Sequence, residues 1–260
     1  MFAIIKSVLG KRVVVRCTQV TVLLSLLALI ASGLHGFAAG PAAGASKQRQ
    51  CWVIDQNLPI RGRYVLTLAA DAVRASSPTG GYTFICCAPD WHVHCFRESE
   101  KLEWQGSLES FDGTRLANPT AVAKKRVSVT KVMGIKTVAG QRCTAIMPDP
   151  ANTHIIYLAN DIKVAKPAAE FVNRFYCLVD TGKIPISSVE CRTPQSAGKT
   201  ILETTKCRQE LVAANIFDLP KQYKQTKTMP QVVFSLAQKD EMSGALMDIG
   251  FRSNIGKNKP

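Results

Sequence analysis

The chain has 260 residues, 46% of them hydrophobic, with 33 basic against 19 acidic side chains and a formal net charge of +14. That length suits one domain, or at most one and a half, with a real core. The charge favours anionic surfaces such as lipid head groups or acidic polymers. The basic residues are spread out and lack interleaved aromatics, so no nucleic acid partner is expected.

The chain opens on a basic lead, Lys6, Lys11, Arg12 and Arg16, followed by the uncharged run Val22 to Ile30 and an A-x-A site at Ala43-Gly44-Ala45. That order of basic, apolar and small-residue regions predicts a cleaved signal peptide over 1–45, and so an exported protein, periplasmic or extracellular. The alternative reading of the same stretch is an uncleaved membrane anchor. The leader takes four basic residues and no acidic one, so the remaining chain keeps 14 − 4 = +10. Beyond it lie Cys51, Cys86, Cys87, Cys95, Cys143, Cys177, Cys191 and Cys207. An even number in an exported chain predicts disulfides, at least two here, although eight cysteines allow about 105 pairings.

Residues 46–61 read as a flexible lead. From Gly62 a meander of short antiparallel strands is predicted: Gly62 to Leu68, Asp71 to Ser76, Tyr82 to Cys87, Trp91 to Arg97 and Lys101 to Gln105. Aromatic and β-branched runs alternate there with turn residues such as Pro78-Thr79-Gly80-Gly81 and Pro89-Asp90. Residues 106–125 read as loop. Val127 to Val132 and Ile135 to Val138 are expected to flank a turn, and Arg142 to Met147 and His154 to Leu158 to be strands. A short helix starts near Pro167, with Phe171 and Phe175 stacked at i and i+4 and Val172 and Tyr176 beside them. Ile184 to Cys191 and Lys199 to Leu211 form a long hairpin around Pro194 to Gly198. The sheet domain thus spans 62–227. The remainder, 228–260, reads as a strand or helix and a basic tail, with a capping box at Ser235 to Gln238 starting a helix that carries Leu236, Ala245, Leu246 and Ile249.

Chemistry-bearing motifs are sparse. His92 and His94 share one strand face, but two ligands make no zinc site, and no HExxH or CxxC completes them. Cys86 and Cys87 point to opposite faces, and Cys95 lies on the face opposite His94, so no thiol has an oriented imidazole. Gly198-Lys199-Thr200 lacks the earlier glycine of a phosphate loop, and Glu98, Glu100 and Glu103 sit in or near a bend. No GxSxG or GxGxxG occurs. No catalytic residue, metal or cofactor is expected, and the chain reads as a non-enzyme.

Four segments in one order resemble a known group. They are Val73-Arg74, Val138-Ala139-Gly140-Gln141-Arg142-Cys143-Thr144, Thr181-Gly182-Lys183-Ile184-Pro185-Ile186 and Phe217-Asp218-Leu219-Pro220-Lys221-Gln222-Tyr223-Lys224. Together they resemble exported bacterial domains of unknown function related to the LolA and LolB lipoprotein carriers and the LppX-like lipid-binding proteins. Gln222 stands where that group often has Gly. The resemblance implies an α+β fold: one strongly curved antiparallel sheet, an unclosed half-barrel covered by short helices, whose concave apolar face can hold acyl chains. The expected function is therefore a binding protein for a lipid, an acyl chain or a lipidated protein, with an anionic membrane surface as a further partner. Tyr82, Phe84, Trp91, Phe171 and Phe175 are expected to line or cover the apolar face. The alternative is a disulfide-stabilised structural or protein-interaction module of the cell envelope with a filled core.

Overall fold

The computed structural model describes residues 47–116, 131–148, 154–191 and 198–238. The leader at 1–45, Val127 to Thr130, the hairpin tip at 192–197, Ala245, Leu246, Ile249 and the basic tail lie outside the described residues.

The described residues contain twelve strands. A first meander comprises β1 (Gln48–Leu58), β2 (Gly62–Ala69), β3 (Ala72–Ser77), β4 (Tyr82–Cys87), β5 (Val93–Arg97) and β6 (Leu102–Gly106). A second comprises β7 (Lys131–Val138), β8 (Gln141–Met147) and β9 (His154–Ala159). After helix α1 (Lys166–Phe175) come β10 (Pro185–Glu190), β11 (Lys199–Ala213), β12 (Lys224–Gln225) and the one-turn helix α2 (Pro230–Val233). They form one unclosed sheet in the order β12-β6-β5-β4-β3-β2-β1-β11-β10-β9-β8-β7. Only β12 against β6 is parallel. The antiparallel sheet is thus present, and β2 to β6 lie within a residue or two of their predicted places.

Two expectations need correction. Residues 48–58 are no flexible lead. They form β1, which runs between β2 and β11 and joins the two meanders, in register from Gln48↔Ala213 to Asn57↔Glu203. The strand is hard to see in the sequence because its middle is buried on both faces, Asp55 and Gln56 included. Such a strand shows no in/out alternation. Asp55 is held by Arg63 Nη2 at 2.7 Å. The second correction concerns Val132 and Ile135, expected to flank a turn. They lie in the continuous strand β7, and the irregularity between Val132 and Gly134 is a bulge. The turn follows Val138, at Ala139 (φ 48°) and Gly140 (φ 75°). These two positive φ values make the two-residue connection of a tight hairpin.

One apolar cluster draws together Ile54, Tyr64, Phe84 and Val93 from the first meander, Ile146, Ile156 and Leu158 from the second, Ile184, Ile186 and Leu202 around β10 and β11, and Phe171, Val172 and Phe175 of α1. With strands about 4.8 Å apart, a flat sheet could not bring its two wings onto one helix. The sheet therefore wraps around α1. The helix starts with Pro167 in its first turn, where the missing N–H costs nothing. Its Asn173, fully buried, donates to Ala169 O (2.8 Å) and Lys183 O (2.9 Å) and so ties the helix to the start of β10. A polar seam crosses the core beneath it. Gln56 Nε2 donates to Thr204 Oγ1 (2.9 Å) and Pro185 O (3.0 Å), and Gln56 Oε1 accepts from the Tyr176 hydroxyl (2.5 Å).

The other face of β1 to β4 is covered by the chain after β11. Phe217, in the 3-10 turn Ala214–Phe217, packs with Cys51, Ala69 and Ala72. Arg74 Nη1 donates to Ile216 O at 2.6 Å, which ties this turn to β3. Gln222 adopts φ 66°, a left-handed conformation that glycine takes most readily. Tyr223 then meets Phe96 edge-on, centroids 6.1 Å apart. The chain next pairs with β6 and turns into α2. Buried Arg97 donates to Val232 O (2.8 Å) and Val233 O (2.5 Å), satisfying carbonyls at the end of that turn. Ser235 and Gln238 make the reciprocal bonds of the expected capping box, Gln238 N to Ser235 Oγ (3.2 Å) and Ser235 N to Gln238 Oε1 (3.0 Å).

Candidate functional site

The expected lining residues come together, but as a packed cluster. Phe84 lies 5.6 Å from Phe111, 6.3 Å from Phe171 and 5.6 Å from Phe175, centroid to centroid. Phe111 stacks on Phe171 at 5.2 Å, and Tyr64 meets Phe175 edge-on at 5.0 Å. Tyr82 meets Phe84 edge-on at 5.8 Å, and its hydroxyl shares a 2.7 Å hydrogen bond with that of Tyr64. Tyr82, Phe84, Phe171 and Phe175 are buried, and Trp91 packs half-buried at the edge of the same cluster. These rings cover the apolar face by filling it. α1 inserts Phe171 and Phe175 directly against Phe84 of β4.

Space opens instead beyond the C-terminal end of α1. A pocket of about 280 Å³ lies between the β1–β2 turn (Leu58 to Arg61), the residues leaving α1 (Tyr176 to Leu178), Ser188 and Glu190 of β10, and Lys199 to Leu202 of β11. Its construction is local. Cys177, in the left-handed region at φ 58°, ends the helix and turns the chain outward. Arg61 Nη1 donates to Phe175 O (2.9 Å) and Gly113 O (3.3 Å), and its guanidinium lies 5.7 Å from the Phe175 ring centre. That places a cation at a helix C-terminus, where the dipole favours it. Leu58, Leu178 and Leu202 are buried walls, while Ile60 is 88% exposed at the mouth. Lys199 adds a second, exposed cation. A space walled by aliphatic groups, with Arg61 and Lys199 at its rim beside the Glu190 carboxylate that stands opposite Lys199 across the ladder, can take an apolar chain with an anionic end. A second pocket, about 380 Å³, lies between Trp104, Phe111, Asp112 and the Lys227–Pro230 segment and is more polar in its lining residues. None of the five expected residues lines either pocket. Sequence reading missed the first pocket because its walls come from three turns and strand ends far apart in the chain.

The other motifs resolve separately. His92 Nδ1 lies 3.0 Å from Asp90, and His94 Nδ1 lies 2.8 Å from Glu103 on β6. Val93 and Cys95 face the core as expected. Among the described residues no three His, Cys, Asp or Glu side chains gather in a way that could hold a metal ion. His154 Nε2 pairs with the hydroxyl of fully buried Ser188 on the neighbouring strand. Burial pushes the His154 pKa down, and the Glu190 carboxylate offsets this only in part. Glu100 receives the Leu236 N–H at 3.2 Å and lies 3.6 Å from Arg97. Lys199 and Thr200 open β11, far from any phosphate-loop geometry.

The expectation of at least two disulfides is not met. Cys51, Cys86, Cys87, Cys95, Cys143, Cys191 and Cys207 carry free thiols. Strand register explains it: Cys51 faces Glu210, Cys86 faces Val73 and Val93, Cys95 faces Phe84 and Trp104, and Cys207 faces Ile54. Among the described residues no cysteine stands opposite another across a ladder. Burial drives the Cys86 pKa up to about 12 and those of Cys87 and Cys207 up to about 11. Buried thiols of this kind pack as small apolar groups and are poor nucleophiles. Exposed Cys177 differs: its sulfur lies 3.9 Å from Arg61 Nη2, at the pocket.

No family model matches the chain. No curated protein matches it either. Among solved structures, it is similar to an uncharacterised conserved protein from Thermus thermophilus, with 7% identity and a TM-score of 0.31 over 68% of this chain and 90% of that one. It is also similar to MucB solved in complex with MucA(peri), with 10% identity and a TM-score of 0.32 over 70% of this chain and 58% of that one. The MucA/MucB complex of Pseudomonas aeruginosa gives the same identity and TM-score, with 59% of that chain covered. The chain thus spans about three fifths of the MucB chains. At these values the likeness adds no argument about the site. No helix among the described residues is long and apolar enough to cross a membrane.

Proposed function

We propose that this protein is an exported, non-enzymatic binding protein that holds one acyl chain, of a lipid or of a lipidated partner, in the pocket between the β1–β2 turn, the end of α1 and β10–β11. The observation that carries the reading is the pairing of aliphatic walls, Leu58, Leu178 and Leu202, with the rim cations Arg61 and Lys199. The cations suit a carboxylate or phosphate head group at the mouth, and the basic surface suits an anionic membrane from which such a ligand would come. At about 280 Å³ the space is at the small end of ligand pockets, which run to roughly 300–1,000 Å³. One short chain is therefore favoured over a multi-chain lipid. Tyr176 lines the pocket and packs edge-on against Phe175 of the aromatic cluster (5.0 Å), which gives the pocket one rigid wall.

Native mass spectrometry of the full chain purified from its own envelope should show a co-purifying mass of single-chain lipid. Dansyl-undecanoate should bind, and Ile60→Asp, which sets a carboxylate at the mouth, should abolish binding. Leu211→Asp, at an exposed apolar site on β11 that does not line the pocket, should leave it unchanged. Absence of lipid together with equal dansyl-undecanoate binding by both variants would dispose of this function.

A further inference from the structure

The two edges of the sheet are treated differently. At one, β6 is covered by β12, with Lys224 N donating to Lys101 O (2.8 Å) and Thr226 N to Glu103 O (2.7 Å). At the other, no strand among the described residues pairs with the outer side of β7. β7 is eight residues long, and all but its last residue are exposed. Val132 (65%), Met133 (39%) and Ile135 (61%) are apolar side chains left in solvent. Long, exposed, apolar edges are rare because they recruit other strands.

The hairpin geometry identifies which backbone groups are on offer. The two-residue turn Ala139-Gly140 makes Val138 and Gln141 a hydrogen-bonded pair, so the next pair, Thr137↔Arg142, is not bonded across the ladder. The N–H and C=O of Thr137 therefore point away from β8, as do those of Ile135 two residues earlier. Charge narrows the partner. Between Asp112 and Asp149 the chain has no acidic residue, while Lys124, Lys125, Arg126, Lys131, Lys136 and Arg142 all fall there. A second copy would bring this basic stretch against itself, in a chain whose formal charge is already +14. An acidic strand would be attracted.

We propose that the outer edge of β7 is a docking strand for an extended acidic peptide segment of a partner protein, which adds to the sheet by backbone pairing with Ile135 and Thr137 while its carboxylates meet Lys131 and Lys136. This is β-strand addition. The surface is separate from the acyl pocket and does not rest on it.

The test uses the full chain and a fluorescein-labelled, end-capped octapeptide of alternating Glu and Val. Binding by fluorescence anisotropy is expected, and the matching Lys/Val peptide should not bind. Thr137→Pro removes an outward N–H without removing a β8 bond and should weaken the Glu/Val peptide about tenfold. The double variant Lys131→Glu/Lys136→Glu should weaken it at least as much and make affinity far less salt-dependent. Should Thr137→Pro lose its fold, a peptide N-methylated at alternate residues along its pairing edge carries the same test, and it should fail to bind. The proposal is overturned if the Glu/Val peptide does not bind the full chain, as when the chain's own segments cover the edge. Unchanged binding by folded Thr137→Pro or by the methylated peptide overturns it too. So does dimerisation by sedimentation that Thr137→Pro abolishes, or binding to anionic vesicles that the charge reversal abolishes while the peptide is ignored.

Discussion

Gly113 shows how much a single missing atom can matter here. A Cβ built on it would stand 2.3 Å from Arg174 O and 2.5 Å from Phe175 O, both backbone atoms at the end of α1. Neither can yield without moving the helix that seals the core. Gly113→Ala should therefore lower stability by about 1–3 kcal/mol, read as a shift of the urea midpoint with unchanged slope. The same closeness brings Gly113 O to Arg61, so the variant should also disturb the pocket mouth. Nothing in the local sequence around Gly113 announces this. The glycine reads as loop punctuation, and its packing role exists only because α1 arrives from the other half of the chain. Gln222 is a second position where the backbone constrains the residue, being left-handed at φ 66°, a conformation that glycine takes most readily.

At the level of elements, the β9–β10 pair carries a buried titratable contact. His154 faces Glu190 across the ladder and bonds Ser188, with its pKa held below the usual histidine value of 6.5 mainly by burial. Above that value the imidazole is neutral in both folded and unfolded chains and contributes no pH dependence. As pH falls below it, the unfolded chain takes up a proton that the folded one resists, so stability declines until the pH passes the depressed folded value. Urea midpoints at about pH 7.5 and about pH 5.5 should fall further for the natural chain than for His154→Gln, which keeps a polar partner for Ser188 but cannot ionise. Equal losses would show that His154 is not a source of acid sensitivity. Element prediction was otherwise strong where aromatic and β-branched runs are bounded by turn residues, as at β4, which is buried on both faces. It failed at β1, where Asp55, Gln56 and Asn57 interrupt the apolar run, and it placed a turn inside β7, which is exposed on both faces and shows no period-two contrast.

For the whole molecule, the open question in the sequence was what stabilises a fold with eight cysteines after residue 45. The structure answers with a continuous apolar cluster and free buried thiols rather than cross-links. In native buffer Cys86, Cys95 and Cys143 should resist a thiol-specific disulfide reagent, being buried and shifted to higher pKa. In denaturant without reductant, Cys51, Cys86, Cys87, Cys95, Cys143, Cys191 and Cys207 should all react. A shortfall of two or more on thiol counting, with peptide mapping of the bridge, would restore the stapled alternative. Reducing agent should accordingly leave the thermal transition unmoved, since Cys51, Cys86, Cys87, Cys95, Cys143, Cys191 and Cys207 close no loop by a disulfide.

Most of the sheet was legible in the chain as written: short β-rich runs separated by turn residues, one helix with Phe171 and Phe175 on its buried side, and a capping box near the end. These are local properties, set by periodicity and turn chemistry within a dozen residues. It took the folded molecule to show that Tyr82, Phe84, Phe171 and Phe175 pack into one cluster, that β1 joins the halves, and that a pocket lies beside Leu58, Leu178 and Leu202. Those outcomes depend on which strands become neighbours and how far the sheet curls around α1. Both are settled by contacts between residues more than a hundred positions apart, such as Gln56 with Thr204 and Tyr176.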